Sequence, residues 1–243
     1  MICSVMQPTF FPWLGYFDLI AKADIFVFYD DVQFVKQSWQ TRNRIKTANG
    51  IIYINVPVIK NSLNSQINEI EIDNRKPWLK KFNKTIFYTY QKSPFFKEVY
   101  PFFEELLHKK HSKLSDFNSL IIIEVCKKLG INTTFYFSSN LLSKENTKDK
   151  RLVDICKELK CNQYLSTIGS SSYIEKEVEG GEFIKNNIQL SYHNYSPVNY
   201  FQNFGEFEPY MSIIDVLFNV GFKKTKEIII LGSNGFLKSK DLR

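Results

Sequence analysis

Short apolar runs alternate along this chain with stretches that are apolar on one side only. Ile2–Met6 ("ICSVM") is a run of the length expected for a buried strand. Trp13, Tyr16, Phe17 and Ile20 then recur at three- and four-residue steps. That spacing predicts a helix over Trp13–Ala23, with Pro12 near its start. "DIFVFYDDVQF" (Asp24–Phe34) is almost continuously β-branched and aromatic, the pattern of a strand covered on both faces. Strand, helix and strand in succession make a βαβ unit. Gly50–Val58 predicts another strand after an Asn49-Gly50 turn.

The middle of the chain changes to helical periodicity. "KPWLKKFNKTIFYTYQ", "PFFKEVYPFFEELLHKK" and "LSDFNSLIIIEVCKKLG" each carry it, with Pro77 and Pro94 near helix starts, Ser115 as a cap and Gly130 as a stop. The α/β rhythm then returns. Thr133–Ser139 reads as a strand, "TKDKRLVDICKELK" as a helix, "QYLST" as a strand and "SSYIEKEV" as a helix. "IQLSYH" reads as a strand and "PYMSIIDVLFNVG" as a helix closed by Gly221. The predicted class is α/β: a parallel or mixed sheet built from βαβ units, with flanking helices and a helical insertion in the middle of the chain. We expect one domain over residues 1–243, comprising an N-terminal βαβ half (1–75), a helical layer (76–130) and a C-terminal α/β half (131–243).

Composition narrows the functional classes. Hydrophobic residues at 44% and charged residues at 23% are ordinary for a globular chain of 243 residues. The net charge of +7 would suit an anionic partner, but the lysines are scattered and read as solvated surface, not as a nucleic-acid face. Arginine is scarce, and Arg42 and Arg44 fall within three residues of each other. The four cysteines form no Cys-x-x-Cys pair and are not grouped with the three histidines, so no metal site is expected. Cys126 and Cys156 read as buried thiols. Reduced thiols and an amino terminus without a basic leader point to the cytoplasm. The longest uncharged run, Asn186–Gly205, is too polar for membrane insertion.

Four clusters carry candidate chemistry. In the first, an apolar strand runs into Tyr29, Asp30, Asp31 and Gln33, followed by Lys36, Trp39, Arg42, Asn43 and Arg44. Open α/β sheets bind ligands at the carboxyl ends of their strands. The carboxylates and arginines would bind a sugar hydroxyl and a phosphate, or order each other as a surface ion-pair network. In the second, Ser166, Thr167, Ile168 and Gly169 follow a strand and precede a helix, where exposed N–H groups could meet an anion; a simple cap by Ser170–Ser172 explains the serines as well. The third is the loop around His193 and Gln202, although a lone histidine is more often a satisfied neutral side chain than a catalyst. The fourth is Asp215 and Asn219, four apart on one apolar helix face, read as a hydrogen-bond network in which Asp215 orients one of the arginines. Strands one and two should be neighbours, which would gather Gln7, Thr9 and Tyr16 of the opening loop with Asp31 and Arg42. No phosphate-loop or nucleophile-elbow motif occurs in the chain.

"QPTFFPWLGYFDLIAKADIFVFYDDVQFVKQSWQTRNRIKT" closely resembles the opening signature of the WbqC-like family, and "YLSTIGSSSY" and "YMSIIDVLFNVG" resemble its later blocks. The family's pattern falls here on Gln7, Pro8, Pro12, Trp13, Gly15 and Tyr16, then on Asp30, Asp31, Gln33, Trp39, Arg42, Asn43 and Arg44, and finally on Ser166, Gly169, Gln202, Asp215, Asn219 and Gly221. In that pattern a histidine often precedes proline where Ser196-Pro197 stands here; were that histidine catalytic, His193 would have to replace it. The resemblance implies a cytoplasmic step in bacterial O-antigen or other lipopolysaccharide and surface-glycan biosynthesis: a transferase placing an aminoacyl or acyl group on a nucleotide-linked amino sugar. No cofactor is implied beyond an acyl thioester or ATP as donor or activator, and an acyl carrier would be the partner. Arg42 and Arg44 would then hold the diphosphate, and Asp30 or Asp31 would act as acceptor and general base. Gln7, Thr9, Tyr16, Gln33, Asn43, Ser166, Gly169, His193 and Gln202 would complete the substrate site.

The opening strand–loop–helix–strand is also similar to nucleotidyl-transferring α/β enzymes, but the segment Pro12–Tyr16 lacks their His-x-Gly-His turn. A nucleotide-dependent ligase or nucleotidyltransferase-like enzyme, or a non-catalytic binding protein of a glycan-biosynthesis complex, are the alternatives.

Overall fold

Strand β1 (Ile2–Met6) lies at the centre of a six-stranded sheet ordered β5-β2-β1-β6-β7-β8 in a computed structural model that describes residues 1–59, 62, 64–109 and 111–242. Strands β2 (Ile25–Phe28), β5 (Thr134–Phe137), β6 (Gln163–Thr167) and β7 (Gln189–Tyr195) run parallel to it, and β8 (Ser233–Leu237) closes one edge antiparallel to β7. The fold is α/β with a mixed, mostly parallel sheet. Both faces are covered. Helices α1 (Leu14–Ala21), α2 (Trp78–Tyr90), α3 (Phe96–His108), α4 (Leu114–Leu129) and α8 (Ile213–Gly232) share one core with Phe26 and Phe28 of β2. Helices α5 (Lys148–Glu158), α6 (Ser171–Ile174) and α7 (Gly181–Lys185) cover the other face over Cys3, Val27, Tyr164 and Tyr192. Alternation along each strand sends successive side chains to these two cores, which is why the strands read as unbroken apolar runs.

Two expected strands end elsewhere. The run Asp24–Phe34 stops being a strand at Phe28, because the Asp30 N–H turns to Ser138 Oγ and leaves the ladder. Gly50–Val58 contributes β4 (Gly50–Asn55), which pairs with β3 (Arg42–Thr47) in a separate antiparallel hairpin outside the main sheet. Gly130 takes the left-handed conformation that ends α4, as expected. Ser115 does not cap that helix. Lys113 is its N-cap residue, and Ser115 is the buried second residue of the helix, with no partner for its hydroxyl. Gly221 closes the first helical stretch of α8, as expected: its φ of 73° makes the kink that separates two helices within Ile213–Gly232, and a Cβ there would meet the Phe95 ring at 2.5 Å. None of the described helices is long and apolar enough to cross a membrane.

Candidate functional site

Strand order reverses at β1: the chain proceeds from it to β2 on one side and later enters β6 on the other. Loops at the carboxyl ends of two such strands diverge and leave a crevice. Here the crevice is built from the β1–α1 loop. Phe10 N–H donates to Trp39 O at 2.8 Å, and the Asn43 amide donates to Phe10 O and Phe11 O at 3.1 and 2.8 Å. Asn118, buried in α4, donates to Pro8 O and Gln40 O. Ser212, the N-cap of α8, donates its hydroxyl to Phe11 O, and Ile213 N–H donates to Pro12 O. Every carbonyl from Phe10 to Pro12 is therefore held by a neighbouring element, and Phe11 is kept at φ 44°. The loop is a fixed wall.

Two cavities flank that wall and share Met6, Thr9 and Trp39. The first, about 300 Å³, lies at the start of α1 between Trp13, Tyr16, Tyr210 and Arg44. The Trp13 indole lies over Gly15, where a Cβ would approach it to 2.4 Å, and also contacts the Tyr210 and Tyr195 rings. The Arg44 guanidinium sits 5.8 Å from the Trp39 ring and donates to Tyr210 O, and its Nε is buried without a partner. The second cavity, about 350 Å³, sets the amides and hydroxyls of Gln7, Gln40, Tyr29, Thr167, Ser170 and Tyr173 beside the apolar Val5, Met6 and Leu152. Gln40 donates to the Gln7 side-chain oxygen at 2.8 Å and so fixes both amides. Burial raises the Tyr29 and Tyr173 hydroxyls above the ordinary phenol range, so both are neutral donors near neutral pH. Among the described residues no Asp, Glu, His or Lys lines either cavity, and Arg44 is the one charged group there.

The profile of the WbqC-like protein family matches residues 7–227. The chain belongs to the WbqC-like family. A relative described as uncharacterized, Rv1507c of Mycobacterium tuberculosis (strain ATCC 25618 / H37Rv), is 34% identical over 221 residues, covering 90% of this chain and 93% of that protein. No solved structure matches the chain.

The candidate residues divide into those at the cleft and those that lie away from it. Gln7, Thr9, Tyr16, Asn43 and Arg44 are gathered there, with Asn43 acting through the loop carbonyls. Arg42 shares a strand face with Arg44 but lies against the Tyr53 ring at 4.6 Å and lines neither cavity. Asp30 is 3% exposed and takes hydrogen bonds from Ser138 Oγ, Ser139 N–H and Ser139 Oγ. Asp31 accepts from Ser138 and pairs with Arg151 of α5, with both charged side chains below 10% exposure. The dipeptide has left the strand, so both carboxylates turn to Ser138 and alternation does not apply. Neither lines the cleft, and the expected gathering of Asp31 and Arg42 with the opening loop is absent. Gln33 lies in a bridge with Gln66.

Ser166, next to the cavity-lining Thr167, is buried with no partner for its hydroxyl and lines neither cavity, and Gly169 lies in the turn just beyond. His193 is buried against Asp18 of α1, Nε2 to Oδ2 at 2.7 Å. Gln202 donates to Asp215, Tyr200 and Glu208 O. Asp215 accepts from Tyr90, Tyr200 and Gln202, so the expected network exists, but phenols and an amide orient it where an arginine was expected. Cys3 lies toward the amino end of β1, opposite the cleft; hydrogen bonding to Cys156 and Cys161, then burial, push its thiol well above the ordinary range. All four cysteines are free and buried.

Sequence reasoning missed Gln40, Asn118, Arg151 and Tyr210 as parts or supports of the site. A signal existed for Asn118, a polar residue inside an otherwise apolar helical stripe. Arg151 gave none, because an arginine in an amphipathic helix reads as solvated.

Proposed function

We propose that the cleft binds a nucleotide-linked sugar and that the protein acts in bacterial surface-glycan biosynthesis, transferring an acyl or aminoacyl group to the sugar's amine. The observation that carries this is the pair of adjoining cavities with different chemistry at the reversal of strand order. An aromatic cavity with one arginine suits a base and its phosphates. A neutral cavity of hydroxyls and amides suits a polyhydroxylated sugar. Arg44, which lines the first cavity, would take the diphosphate through charge-assisted hydrogen bonds. Trp39 would sit beneath the junction. Gln7, Thr167 and Ser170 would meet the sugar, with the Tyr29 and Tyr173 hydroxyls as neutral donors to an acyl oxygen. Membership in the WbqC-like family supports the pathway, since that resemblance implies a step in bacterial surface-glycan biosynthesis.

The lack of a carboxylate or histidine lining the cleft favours a second reading, a binding protein that holds such a sugar for another enzyme. Arg44→Ala should weaken binding of a nucleotide sugar by roughly ten- to a hundredfold, about 1.5–3 kcal/mol. Calorimetry checks this, and wild-type affinity in the folded variant would remove the phosphate role. Mass spectrometry of wild-type protein incubated with a nucleotide-linked amino sugar and acyl thioesters separates the two readings. An acylated sugar supports transfer; binding without product supports the second.

A further inference from the structure

The outer edge of β4 lies open over a third cavity. Val56 N–H donates to Thr41 O, which makes 43–54 and 45–52 the hydrogen-bonded pairs of the hairpin. The N–H and C=O groups of Ile51, Tyr53 and Asn55 therefore point away from β3. Farther along, this same edge is occupied: Asp73 N–H donates to Pro57 O and Ile59 N–H to Glu71 O, both at 2.9 Å. Past Asp73 the chain turns off into α2, and β4 has no second partner strand among the described residues. The space left holds a cavity of about 520 Å³ that touches all of Ile52–Asn55. Successive strand residues face opposite ways, so a cavity touching four in a row runs along the edge and not over one face.

Its far wall is α2, which supplies Trp78 and Phe82 opposite Ile52 and Ile54. The frame is cationic. Lys76 and Lys81 line it, and no carboxylate among the described residues does, although Lys76 Nζ also lies 3.5 Å from Asp73. Helix α2 begins there with no side-chain cap and no acidic residue in its first turn, leaving the positive end of its dipole unanswered. Arg42 stands directly across from Asn55 on the strand face that carries Tyr53.

We propose that this groove takes an extended acidic peptide segment of a partner protein, which adds to β4 as a further strand. Its apolar side chains would face Ile52, Ile54, Trp78 and Phe82, and its carboxylates would face Arg42 and the lysines. Main-chain hydrogen bonds would give the affinity and alternate side chains the selectivity.

The test uses a fluorescein-labelled peptide alternating valine and glutamate, eight residues long, titrated into the full chain by fluorescence polarisation. Saturable binding is expected, with slowed amide exchange at Ile51, Tyr53 and Asn55. Lys81→Glu, an exposed change on α2, should weaken it by roughly tenfold. A peptide N-methylated at the residues that bond to the edge should not bind. No saturation at millimolar peptide, binding indifferent to N-methylation, or binding unchanged in Lys81→Glu would overturn the proposal. So would a dimer that Tyr53→Pro dissolves, since the occupant would then be a second copy of the chain.

Discussion

Asp215→Ala should destabilise the protein by about 3–5 kcal/mol, because it strips the shared acceptor from several buried donors at once. The carboxylate is 1% exposed and accepts from Tyr90, Tyr200 and Gln202 at 2.8–2.9 Å. These donors come from α2, from the loop after β7 and from the approach to α8, so the residue ties the helical layer to the carboxyl-terminal segment. Tyr200→Phe removes one donor and should cost only about 1 kcal/mol. Burial raises the Asp215 carboxyl above its ordinary value of 3.8, against the pull of hydrogen bonds from Tyr90, Tyr200, Gln202 and the Lys46 backbone. The fold therefore binds that proton more tightly than the unfolded chain does. This contribution is complete below the unfolded value and fades as pH rises through the folded one. The margin of wild type over Asp215→Asn should narrow over that interval. Urea denaturation of the three variants checks the ordering, and an Asp215→Ala protein within about 1 kcal/mol of wild type would refute the hub.

Arg151→Ala should cost a similar amount, about 3–5 kcal/mol, by leaving the Asp31 carboxylate buried without its cation. The guanidinium pairs with Asp31 and lies 5.2 Å from the centre of the Tyr29 ring. Tyr29 lines the second cavity, so the same change should loosen that end of the cleft. A buried pair is costly to break and cheap to replace whole. The double variant Asp31→Asn/Arg151→Met should accordingly be more stable than Arg151→Ala. A double-mutant cycle by urea denaturation measures the coupling. Additive losses would mean that the two side chains do not act as a pair.

The parts of the fold legible in the sequence are those where burial on both faces writes an unbroken apolar run. β1 and β6 occupy the expected residues, and the three middle helices stand where their periodicity placed them. What failed depended on distant partners. Nothing within Asp24–Phe34 reveals that Ser138, 108 residues away, draws Asp30 off the ladder. β3 was missed because Arg42, Arg44 and Lys46 alternate with Asn43 and Ile45 in a hairpin that carries its cations on one face. β8 was missed because a glycine-containing edge strand with three exposed residues leaves little apolar signal. The site followed the same rule. The opening loop and Arg44 were readable, since polar residues and prolines interrupt apolar runs at strand ends. The carboxylates were misplaced because their partners lie far along the chain: Ser138 and Ser139 for Asp30, and Arg151, 120 residues away, for Asp31.

The cleft itself is tested most directly by crystals soaked with a panel of nucleotide-linked amino sugars. The account predicts density for one of them across both cavities, its diphosphate within hydrogen-bond reach of Arg44, its base among Trp13, Tyr16 and Tyr210, and its sugar beside Gln7, Thr167 and Ser170. A nucleotide sugar bound with its diphosphate away from Arg44, or bound elsewhere on the molecule while the cleft stays empty, would contradict it.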